Sequence, residues 1–579
     1  MGMMALRGVP AAPGVARGGW THVRRQALPA GGRVAPGAEA AEEARLRGAA
    51  NAAADDLMAL SDQLAADGHE DESAIFMAHA TLAWDPALID AAAARIHESG
   101  EDAVAAIQAA GTTVATELGA LDDELLAARG ADVTDVADRI ARVLAGLPVE
   151  EQLLPAPAIV VAEDLSPSLT ATLPREHMLA IALEAGSPTS HAAILARAYG
   201  IPAVVGTPGL LAALAAAGPG APVALDGATG EVVIEPDAAT ADDFDARAAR
   251  FARSRESDAA EASLPAVTTD GVEVTLLANI GTPGEAAPAR ALGARGVGLF
   301  RTEFLFLERS TPPTETEQAA AYREAVEAFG GDPVTIRLLD IGGDKPIPYL
   351  PMPPEENPFL GVRALRLAHD RPELFITQLR ACYRAATAGP VKVMAPMVAD
   401  AGDAALLLEL AARAREGLDA AGVARGEVDL GVMLEIPSAV LSADAWFEQV
   451  AFASLGTNDL TQYALAVDRG NPALERYRDA MHPAVLRLIS MAAESAGRAG
   501  ISLSVCGEMA GDPAAALALV GLGVRQLSMG AASLPAVRRA VRGASVAALR
   551  ETALLALHDR SSTDARARFA GLLAEGAPG

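Results

Sequence analysis

The spacing of hydrophobic residues divides the chain into segments with different expected secondary structure. From about residue 38 to 144, apolar side chains recur every three or four positions, as at Leu57, Leu60 and Leu64. This spacing places them on one face of a helix. Glycines and an Asp-Pro pair interrupt the pattern, so we expect about four helices packed into a bundle.

After Pro155, short runs of consecutive apolar residues replace the helical spacing. Three runs predict buried strands between helices, and two more predict a β-hairpin. The five runs are residues 158–161, 178–182, 203–205, 223–227 and 230–234. Apolar pieces in the first 20 residues are expected to join this small α/β unit, which makes the helical segment an insertion. The charged, alanine-rich run 238–262 predicts a helical linker, on the order of 35 Å long at about 1.5 Å per residue.

Eight further apolar runs, separated by helical stretches, occupy the remainder of the chain. They are residues 273–279, 296–300, 334–339, 391–396, 431–434, 451–455, 501–505 and 525–528. Eight β–α alternations in roughly 300 residues correspond to a (β/α)8 TIM barrel, whose functional residues follow the carboxyl ends of the strands. The expected fold class is therefore α/β multidomain, with the barrel in the C-terminal half.

Composition restricts the class of protein. A net charge of −29 over 579 residues argues against nucleic acid or an anionic membrane as the main partner. Two cysteines, Cys382 and Cys506, cannot form a disulfide framework, which is typical of a reducing compartment. The start of the chain has no signal-peptide core, and no apolar run is long enough to cross a bilayer. We therefore expect a cytoplasmic protein without membrane insertion.

A histidine at the start of a predicted helix is the first candidate for chemistry. His191 follows Thr189 and Ser190, which are good helix caps, and precedes the helix-forming run A-A-I-L-A-R-A. Backbone N–H groups in the first turn and the helix dipole favour an anion there. His191 is therefore placed to carry a phosphoryl group, although a histidine that merely packs in a capped helix fits the same residues.

Polar residues follow five of the predicted barrel strands and should meet at one rim. They are Arg301-Thr302-Glu303, Arg337 with the stretch from Asp340 to Lys345, Glu435, the stretch from Gly456 to Asp459, and Cys506-Gly507-Glu508. Arginine forks bind phosphate or carboxylate oxygens, so Arg301 and Arg337 indicate an anion site. Glu435 and Asp459 supply the oxygen ligands that Mg²⁺ takes, although either acid could instead form a salt bridge to one of these arginines.

Two further residues complete the candidate site. Arg469, beyond the sixth barrel strand, could hold a second anionic group or lie on the surface. Cys506 lies close to a cation-rich site, so its pKa is expected to fall. It could then act as a nucleophile or a proton donor, or it could be a buried structural cysteine. A candidate phosphoryl-carrying histidine, a linker and a Mg²⁺-dependent site for a small phosphorylated substrate together predict phosphoryl transfer in two stages.

Six blocks of the sequence resemble one enzyme family. They are T-S-H-A-A-I-L-A-R-A-Y-G-I-P-A-V-V-G (189–206), G-V-G-L-F-R-T-E-F-L-F (296–306), R-L-L-D-I-G-G-D-K (337–345), E-N-P-F-L-G-V-R-A-L-R (356–366), S-L-G-T-N-D-L-T-Q-Y-A-L-A-V-D-R-G-N (454–471) and V-C-G-E-M-A-G-D (505–512). Together they closely resemble Enzyme I of the bacterial sugar phosphotransferase system, the phosphoenolpyruvate–protein phosphotransferase, nearly from end to end.

The resemblance implies a reaction and a set of site residues. His191 would be phosphorylated on Nε2 by phosphoenolpyruvate and would pass the phosphoryl group to the phosphocarrier protein HPr, while Cys506 would protonate the enolpyruvate carbon to give pyruvate. Arg301 and Arg337 would hold the phosphate. The other implied residues are Arg469 for the carboxylate, Asn458 and the backbone at Asp459 for further substrate contacts, and Glu435 with Asp459 for Mg²⁺.

The resemblance also implies a domain assignment. Residues 1–35 and 147–236 would form a discontinuous, swivelling α/β phosphohistidine domain, and 36–146 the inserted helical subdomain that binds HPr. Residues 237–262 would be the helical linker, and 263–579 the phosphoenolpyruvate-binding TIM barrel, through which the family forms homodimers.

The helical insertion follows the family least closely. Residues 121–135 match it only loosely, and Trp84 stands where acidic residues are frequent in the family. Within this segment, Leu82 and Leu88, with the neighbouring Asp85, are the candidate docking residues for HPr.

Two other functions are considered. A pyruvate–phosphate dikinase or phosphoenolpyruvate synthase has similar histidine and barrel domains, but it also needs an ATP-binding domain of a few hundred residues. Only about 20 residues precede the helical insertion, and no suitable phosphate-cradling glycine loop appears. A regulatory relative that docks partners without turnover is the second alternative, against which the complete set of rim residues argues.

Overall fold

The computed structural model describes residues 3–23, 28–29, 31–66, 70–119, 124–147, 154, 156–165, 173–186, 190–307, 309, 311–342, 347, 349–353, 355–468 and 471–575. The chain forms two compact units, Met1–Arg255 and Glu256–Gly579. The first contains a helical bundle and two small sheets, and the second contains a barrel.

The described part of residues 36–146 contains five helices, one more than the hydrophobic spacing predicted. They are α1 (Glu39–Ala66), α2 (Glu70–Leu82), α3 (Pro86–Ser99), α4 (Ala103–Gly119) and α5 (Glu124–Ala145). Their buried faces carry leucine, isoleucine, valine and many alanines, which pack into one core. The small alanine side chains let the helices pack closely, because interaxial distance depends on the side chains at the contact.

The bundle corrects one prediction about docking residues. Leu88 is 2% exposed and belongs to the bundle core, so it is not accessible to a partner. Leu82 is partly buried against the same core. Asp85 caps α3 by accepting a hydrogen bond from a backbone N–H of the first turn (2.8 Å). The large apolar side chains that are exposed nearby are instead Met77 and Trp84.

Two small sheets also belong to the first unit. Their strands are β1 (Met4–Arg7), β2 (Val9–Ala12), β3 (Val15–Gly18), β4 (Trp20–His22), β5 (Ala158–Ala162), β6 (Met178–Leu183), β7 (Ala203–Val205), β8 (Val223–Asp226) and β9 (Glu231–Ile234). The strand orders are β2-β7-β6-β5-β4 and β1-β9-β8-β3. The predicted hairpin is confirmed, since β8 and β9 pair antiparallel. Because β1 pairs with β9 and β4 with β5, the five helices are inserted between strands of common sheets.

Two helices cover opposite faces of the five-stranded sheet. They are α6 (His191–Tyr199) and α7 (Leu210–Ala217). Successive residues of a strand point to opposite faces, and accordingly Val160 of β5 packs with α6 while Ile159 packs with α7. The predicted linker is helical, α8 (Ala238–Glu261).

The second unit is a closed barrel, which confirms the predicted fold class. After the short β10 (Ala266–Val267), its strands are β11 (Glu273–Ile280), β12 (Val297–Phe300), β13 (Val334–Arg337), β14 (Val391–Ala395), β15 (Val428–Leu434), β16 (Phe452–Leu455), β17 (Ser502–Val505) and β18 (Gln526–Met529). Each predicted run contains most of one observed strand. Neighbouring strands are parallel and follow chain order, and β18 pairs with β11 to close the barrel.

Helices surround this barrel. They are α9 (Ala286–Ala291), α10 (Glu315–Phe329), α11 (Pro372–Ala385), α12 (Ala401–Ala420), α13 (Pro437–Leu441), α14 (Thr457–Leu465), α15 (Pro483–Ala499), α16 (Pro513–Gly521), α17 (Leu534–Gly543), α18 (Val546–Ala556) and α19 (Ser562–Glu575). Among the described helices of the whole chain, none combines the length and the apolar character needed to span a membrane. Both cysteines are buried free thiols.

Candidate functional site

Five barrel strands bring polar side chains to one end of the barrel. Arg301 follows β12, Arg337 ends β13, Glu435 follows β15, Asp459 lies in the first turn of α14 after β16, and Cys506 follows β17. Parallel barrel strands present their carboxyl ends at one rim. The residues are also close enough to act on each other electrostatically, since Glu435 and Cys506 both influence the pKa of Arg337.

Arg337 is buried and paired with two carboxylates. Its Nη2 donates a hydrogen bond to Oε1 of Glu303 (2.8 Å), and its Nη1 lies 3.4 Å from Oδ2 of Asp340. Burial by itself would lower the pKa of Arg337, but Glu303, Asp340 and Glu435 raise it, so the guanidinium stays charged. Its Nε is buried without a hydrogen-bond partner in the described part of the chain. Arg337 therefore retains a donor for an anionic ligand.

A second buried arginine, Arg363, connects these acids to Asp459. Nη2 of Arg363 donates to both carboxylate oxygens of Asp340 (2.9 Å each), and Nε donates to Oδ1 (3.2 Å). Nη1 of Arg363 lies 3.5 Å from Oδ1 of Asp459. The contacts form a buried chain of alternating charges, Glu303–Arg337–Asp340–Arg363–Asp459. Pairing in a low-dielectric interior holds each of these side chains in place.

Glu435 is fully buried, and the described part of the chain supplies a hydrogen bond to one of its two carboxylate oxygens. Oε1 accepts a hydrogen bond from the backbone N–H of Met397 (2.6 Å), whereas Oε2 has no partner among the described residues. Burial, followed by the charges of Asp459 and Asp340, raises the pKa of Glu435 to about 8, while Arg337 opposes this shift. The salt bridge to an arginine considered for Glu435 is not present among the residues the structure describes.

The carboxylates of Glu435 and Asp459 suit a hard divalent cation. Such a cation binds oxygen ligands and, in the case of Mg²⁺, keeps several positions for water or substrate. Within the described ranges, no three histidine, cysteine, aspartate or glutamate side chains are arranged to hold a metal by themselves. A cation held here would therefore complete its coordination with oxygens from water or substrate.

The pKa of the Cys506 thiol is raised, whereas the sequence predicted that it would fall. Cys506 is 2% exposed and lies in an apolar cluster inside the barrel that includes Phe452. Burial raises the pKa of Cys506 to about 11, because the opposing effects of the Ser454 hydroxyl and of Arg337 are smaller than the cost of desolvating a thiolate. Sγ donates to the carbonyl oxygen of Leu455 (3.6 Å). The thiol is therefore protonated at neutral pH, which favours a proton donor over a nucleophile.

Two further predicted residues, Arg301 and Asn458, lie around the same rim. Arg301 is partly buried and lines a cleft of about 640 Å³ together with Phe304 and Glu508. Asn458 joins two rim loops, because its Oδ1 accepts a hydrogen bond from the backbone N–H of Glu508 (3.2 Å). Its amide NH₂ group is then the part that can donate to a ligand. Arg469 lies outside the described residues.

The local structure predicted for His191 is confirmed in the first unit. Helix α6 begins at His191, with Ser190 in the extended conformation of an N-cap residue. The Ser190 side chain makes no capping hydrogen bond, and its buried hydroxyl has no partner among the described residues. Thr189, the other predicted cap, lies outside the described residues. The first turn thus offers backbone N–H groups and a hydroxyl to an anion.

Comparison with known proteins assigns the chain to a family. Residues 7–129, 154–230 and 255–546 match families described as the N-terminal, mobile and PEP-binding domains of PEP-utilising enzymes. The phosphoenolpyruvate-protein phosphotransferase of Streptomyces coelicolor is 42% identical over 571 residues, which are 97% of this chain and 98% of that protein. The chain belongs to the phosphoenolpyruvate-protein phosphotransferase (Enzyme I) family.

Two further relatives are matched over different shares of their own length. The phosphoenolpyruvate-protein phosphotransferase of Geobacillus stearothermophilus is 39% identical over 535 residues, 91% of each chain. The multiphosphoryl transfer protein of Rhodobacter capsulatus is 42% identical over 495 residues, which are 85% of this chain but only 59% of that longer protein. Full-length similarity to phosphotransferases favours this family over the dikinases considered from the sequence.

The partners of the rim residues were not predicted from the sequence. Glu303 and Asp340 stand in quoted motifs but received no role, and Arg363 stands within the block 356–366. Their position could have indicated a role, since Glu303 and Asp340 each lie three residues beyond the end of a barrel strand. Nothing in the sequence indicated that Arg363, in a loop after β13, pairs with Asp340.

Proposed function

We propose that this chain transfers the phosphoryl group of phosphoenolpyruvate to His191 and from there to the phosphocarrier HPr, releasing pyruvate. This is the first step of the sugar phosphotransferase system, and we place it in the cytoplasm. Membership of the Enzyme I family supports the reaction. The observation that carries the residue roles is the buried rim, where Nε of Arg337 and Oε2 of Glu435 have no partner among the described residues and the Cys506 thiol is protonated.

In this proposal, Arg301 and Arg337 bind the phosphate of phosphoenolpyruvate, and Arg469 binds its carboxylate. Guanidinium groups suit both anions, because they offer several N–H donors in one plane. The charged Arg337, with Nε not engaged by the described protein groups, supports the phosphate assignment. Asn458 and the backbone at Asp459 add donors at the start of α14, where helix N–H groups favour an anion.

Glu435 and Asp459 hold Mg²⁺ in this proposal. When bound, the ion supplies positive charge that neutralises the transferring phosphoryl group. Oε2 of Glu435 has no hydrogen-bond partner among the described residues, and the pKa of this carboxyl is raised despite the opposing charge of Arg337. Both observations support this assignment, because a bound cation would supply the missing positive charge. Asp459 remains oriented by Arg363 on one side.

The transfer itself uses His191 and Cys506. Nε2 of His191 attacks phosphorus as the bond from phosphorus to the enol oxygen breaks, leaving the enolate of pyruvate. The Cys506 thiol then gives its proton to the enolate C3, which completes pyruvate and leaves a thiolate. The first turn of α6 supports the phosphohistidine, because its N–H groups and the Ser190 hydroxyl can donate hydrogen bonds to phosphoryl oxygens.

The proposal also includes the domain boundaries given above, docking of HPr and formation of a homodimer. HPr docks on the helical insertion, where the exposed Met77 and Trp84 offer apolar area. The strong negative charge of the chain suits a basic partner surface. The family resemblance further supports a homodimer through the barrel.

Mass analysis after incubation with phosphoenolpyruvate, Mg²⁺ and HPr tests the proposal. We expect acid-labile phosphate on His191, release of pyruvate and passage of phosphate to HPr. His191→Ala should form no phosphoprotein while still binding phosphoenolpyruvate. An unmodified wild-type chain would support the regulatory alternative, and labelling by ATP would support a dikinase. Normal transfer to HPr by His191→Ala would show that another residue is the carrier.

A further inference from the structure

Two adjacent residues after β12 hold Arg337 at both its backbone and its side chain. The Oγ1 of Thr302 donates to the carbonyl oxygen of Arg337 (2.8 Å), and Oε1 of Glu303 accepts from Nη2 of the same residue (2.8 Å). Arg337 is the last residue of β13, so these contacts join two neighbouring strand ends.

The carboxylate of Glu303 is itself firmly held. It is 2% exposed, and Oε1 also accepts a hydrogen bond from the backbone N–H of Asp340 (3.0 Å). One oxygen therefore binds both the guanidinium and the loop that carries its second acidic partner. Hydrogen bonds to a buried charged group are stronger and more costly to break than neutral ones.

The neutral side chain of Gln378 connects the segment that carries Thr302 to the backbone that follows Arg337. Nε2 of Gln378, on α11, donates to Oγ1 of Thr302 (3.0 Å), and its Oε1 accepts from the backbone N–H of Leu339 (2.9 Å). Gln378 is completely buried. Gln378 therefore holds the Thr302–Glu303 segment in place, and the contacts of this segment fix the position of Arg337.

We propose that Glu303 is a positioning residue for phosphoryl transfer, which fixes the guanidinium of Arg337 so that its Nε edge meets the phosphoryl group. This inference rests on the proposed function. Nη2 is committed to Glu303 and Nη1 faces Asp340, so Nε is the donor without a described partner. If Nη2 were released, the guanidinium could rotate about its side-chain bonds and lose its alignment. Misalignment of a group that stabilises transferring charge lowers the rate of the chemical step.

A kinetic cycle on the full chain tests this role. Single-turnover pyruvate formation with Mg²⁺ is measured across phosphoenolpyruvate concentrations for wild type, Glu303→Gln, Arg337→Lys and the double variant. We expect Glu303→Gln to lower the maximal rate about 10- to 100-fold and to change the half-saturating substrate concentration less than about threefold. In the Arg337→Lys background, Glu303→Gln should lower the rate by less than about threefold, because the residues act as one unit.

The matched control is Glu315→Gln. Glu315, on the outer helix α10, is a partly buried acid that accepts hydrogen bonds from two arginines of α11, Arg380 (2.6 Å) and Arg384 (2.7 Å). Its substitution should leave the rate unchanged. Equal losses from Glu303→Gln in both backgrounds, or an unchanged rate in a folded Glu303→Gln protein, would overturn the inference.

A shorter acid covers the case in which Glu303→Gln does not fold. Glu303→Asp keeps the charge but withdraws the carboxylate by one methylene, so a folded fraction, verified by its thermal midpoint, should remain for assay and still lose most of the rate. A wild-type rate in Glu303→Asp would also overturn the inference. If the wild-type chain formed no pyruvate at all, the proposed function would fail, and this outcome is distinct from loss of the Glu303–Arg337 coupling.

Discussion

Replacing Arg363 by methionine should destabilise the barrel by leaving a buried acid short of positive partners. Arg363 is 1% and Asp340 2% exposed, and three hydrogen bonds of 2.9, 2.9 and 3.2 Å join them. Removing one partner of a buried ion pair typically costs about 3–5 kcal/mol of unfolding free energy. Asp340 would keep its contact with Nη1 of Arg337 at 3.4 Å, so we expect the lower end, about 3 kcal/mol.

Tryptophan fluorescence during denaturant unfolding of the full chain can measure this loss. The chain has three tryptophans, of which Trp446 is buried in the barrel. In a Trp20→Phe, Trp84→Phe background, the emission reports on the barrel alone. If Arg363→Met and its parent have the same dependence of unfolding free energy on denaturant concentration, the difference in their midpoints gives the change in unfolding free energy.

Two controls separate the buried pair from a general effect of losing an arginine. Arg413→Met removes a surface pair with Glu373, whose side chains are 45% and 78% exposed, and should cost less than about 1 kcal/mol. The double variant Arg363→Met, Asp340→Asn removes both charges and should recover part of the loss. The reasoning is refuted if Arg363→Met costs no more than Arg413→Met, or if the double variant is less stable than the single one.

Three further predictions concern single side chains. Cys506→Ala should slow pyruvate formation far more than it weakens substrate binding. The wild-type thiol, with a pKa of about 11, should resist alkylation by iodoacetamide at about pH 8. Rapid alkylation at that pH would contradict a buried, protonated thiol. In metal-free protein the pKa of Glu435, about 8, lies above its ordinary value, so the folded chain keeps a proton that the unfolded chain has released. The unfolding free energy should therefore fall as pH rises from about 5 to 8. Urea unfolding midpoints, measured with a chelator present, should decrease over this pH range in wild type but not in Glu435→Gln. Leu88→Ala should lower the stability of the helical bundle by about 2–5 kcal/mol without changing HPr affinity in the folded fraction. Trp84→Ala should weaken HPr binding in calorimetric titration and cost less stability than Leu88→Ala, because Trp84 is half exposed and loses mainly its hydrogen bond to Asn51. Equal affinity losses would argue against docking at Trp84.

The sequence by itself determined most of the secondary structure and the rim at which the candidate residues of the barrel lie. Runs of apolar residues mark the eight barrel strands because a strand buried on both faces needs few polar positions. Cap and helix-forming residues around His191 predict the start of α6 because both signals are local. Residues such as Arg337 and Glu435 could be assigned to one rim because chain order and strand direction are linked in a barrel.

Only the tertiary structure decided which side chains pair and which are buried. Arg363 and Asp340 are 23 positions apart, and their contact depends on how a loop folds over the rim. The sequence placed Cys506 near cations and so predicted a lower pKa, but desolvation inside the barrel dominates and raises it. Leu88 likewise faces the bundle core rather than solvent. Burial and pairing energies depend on all the neighbouring elements together, and no local pattern carries that information.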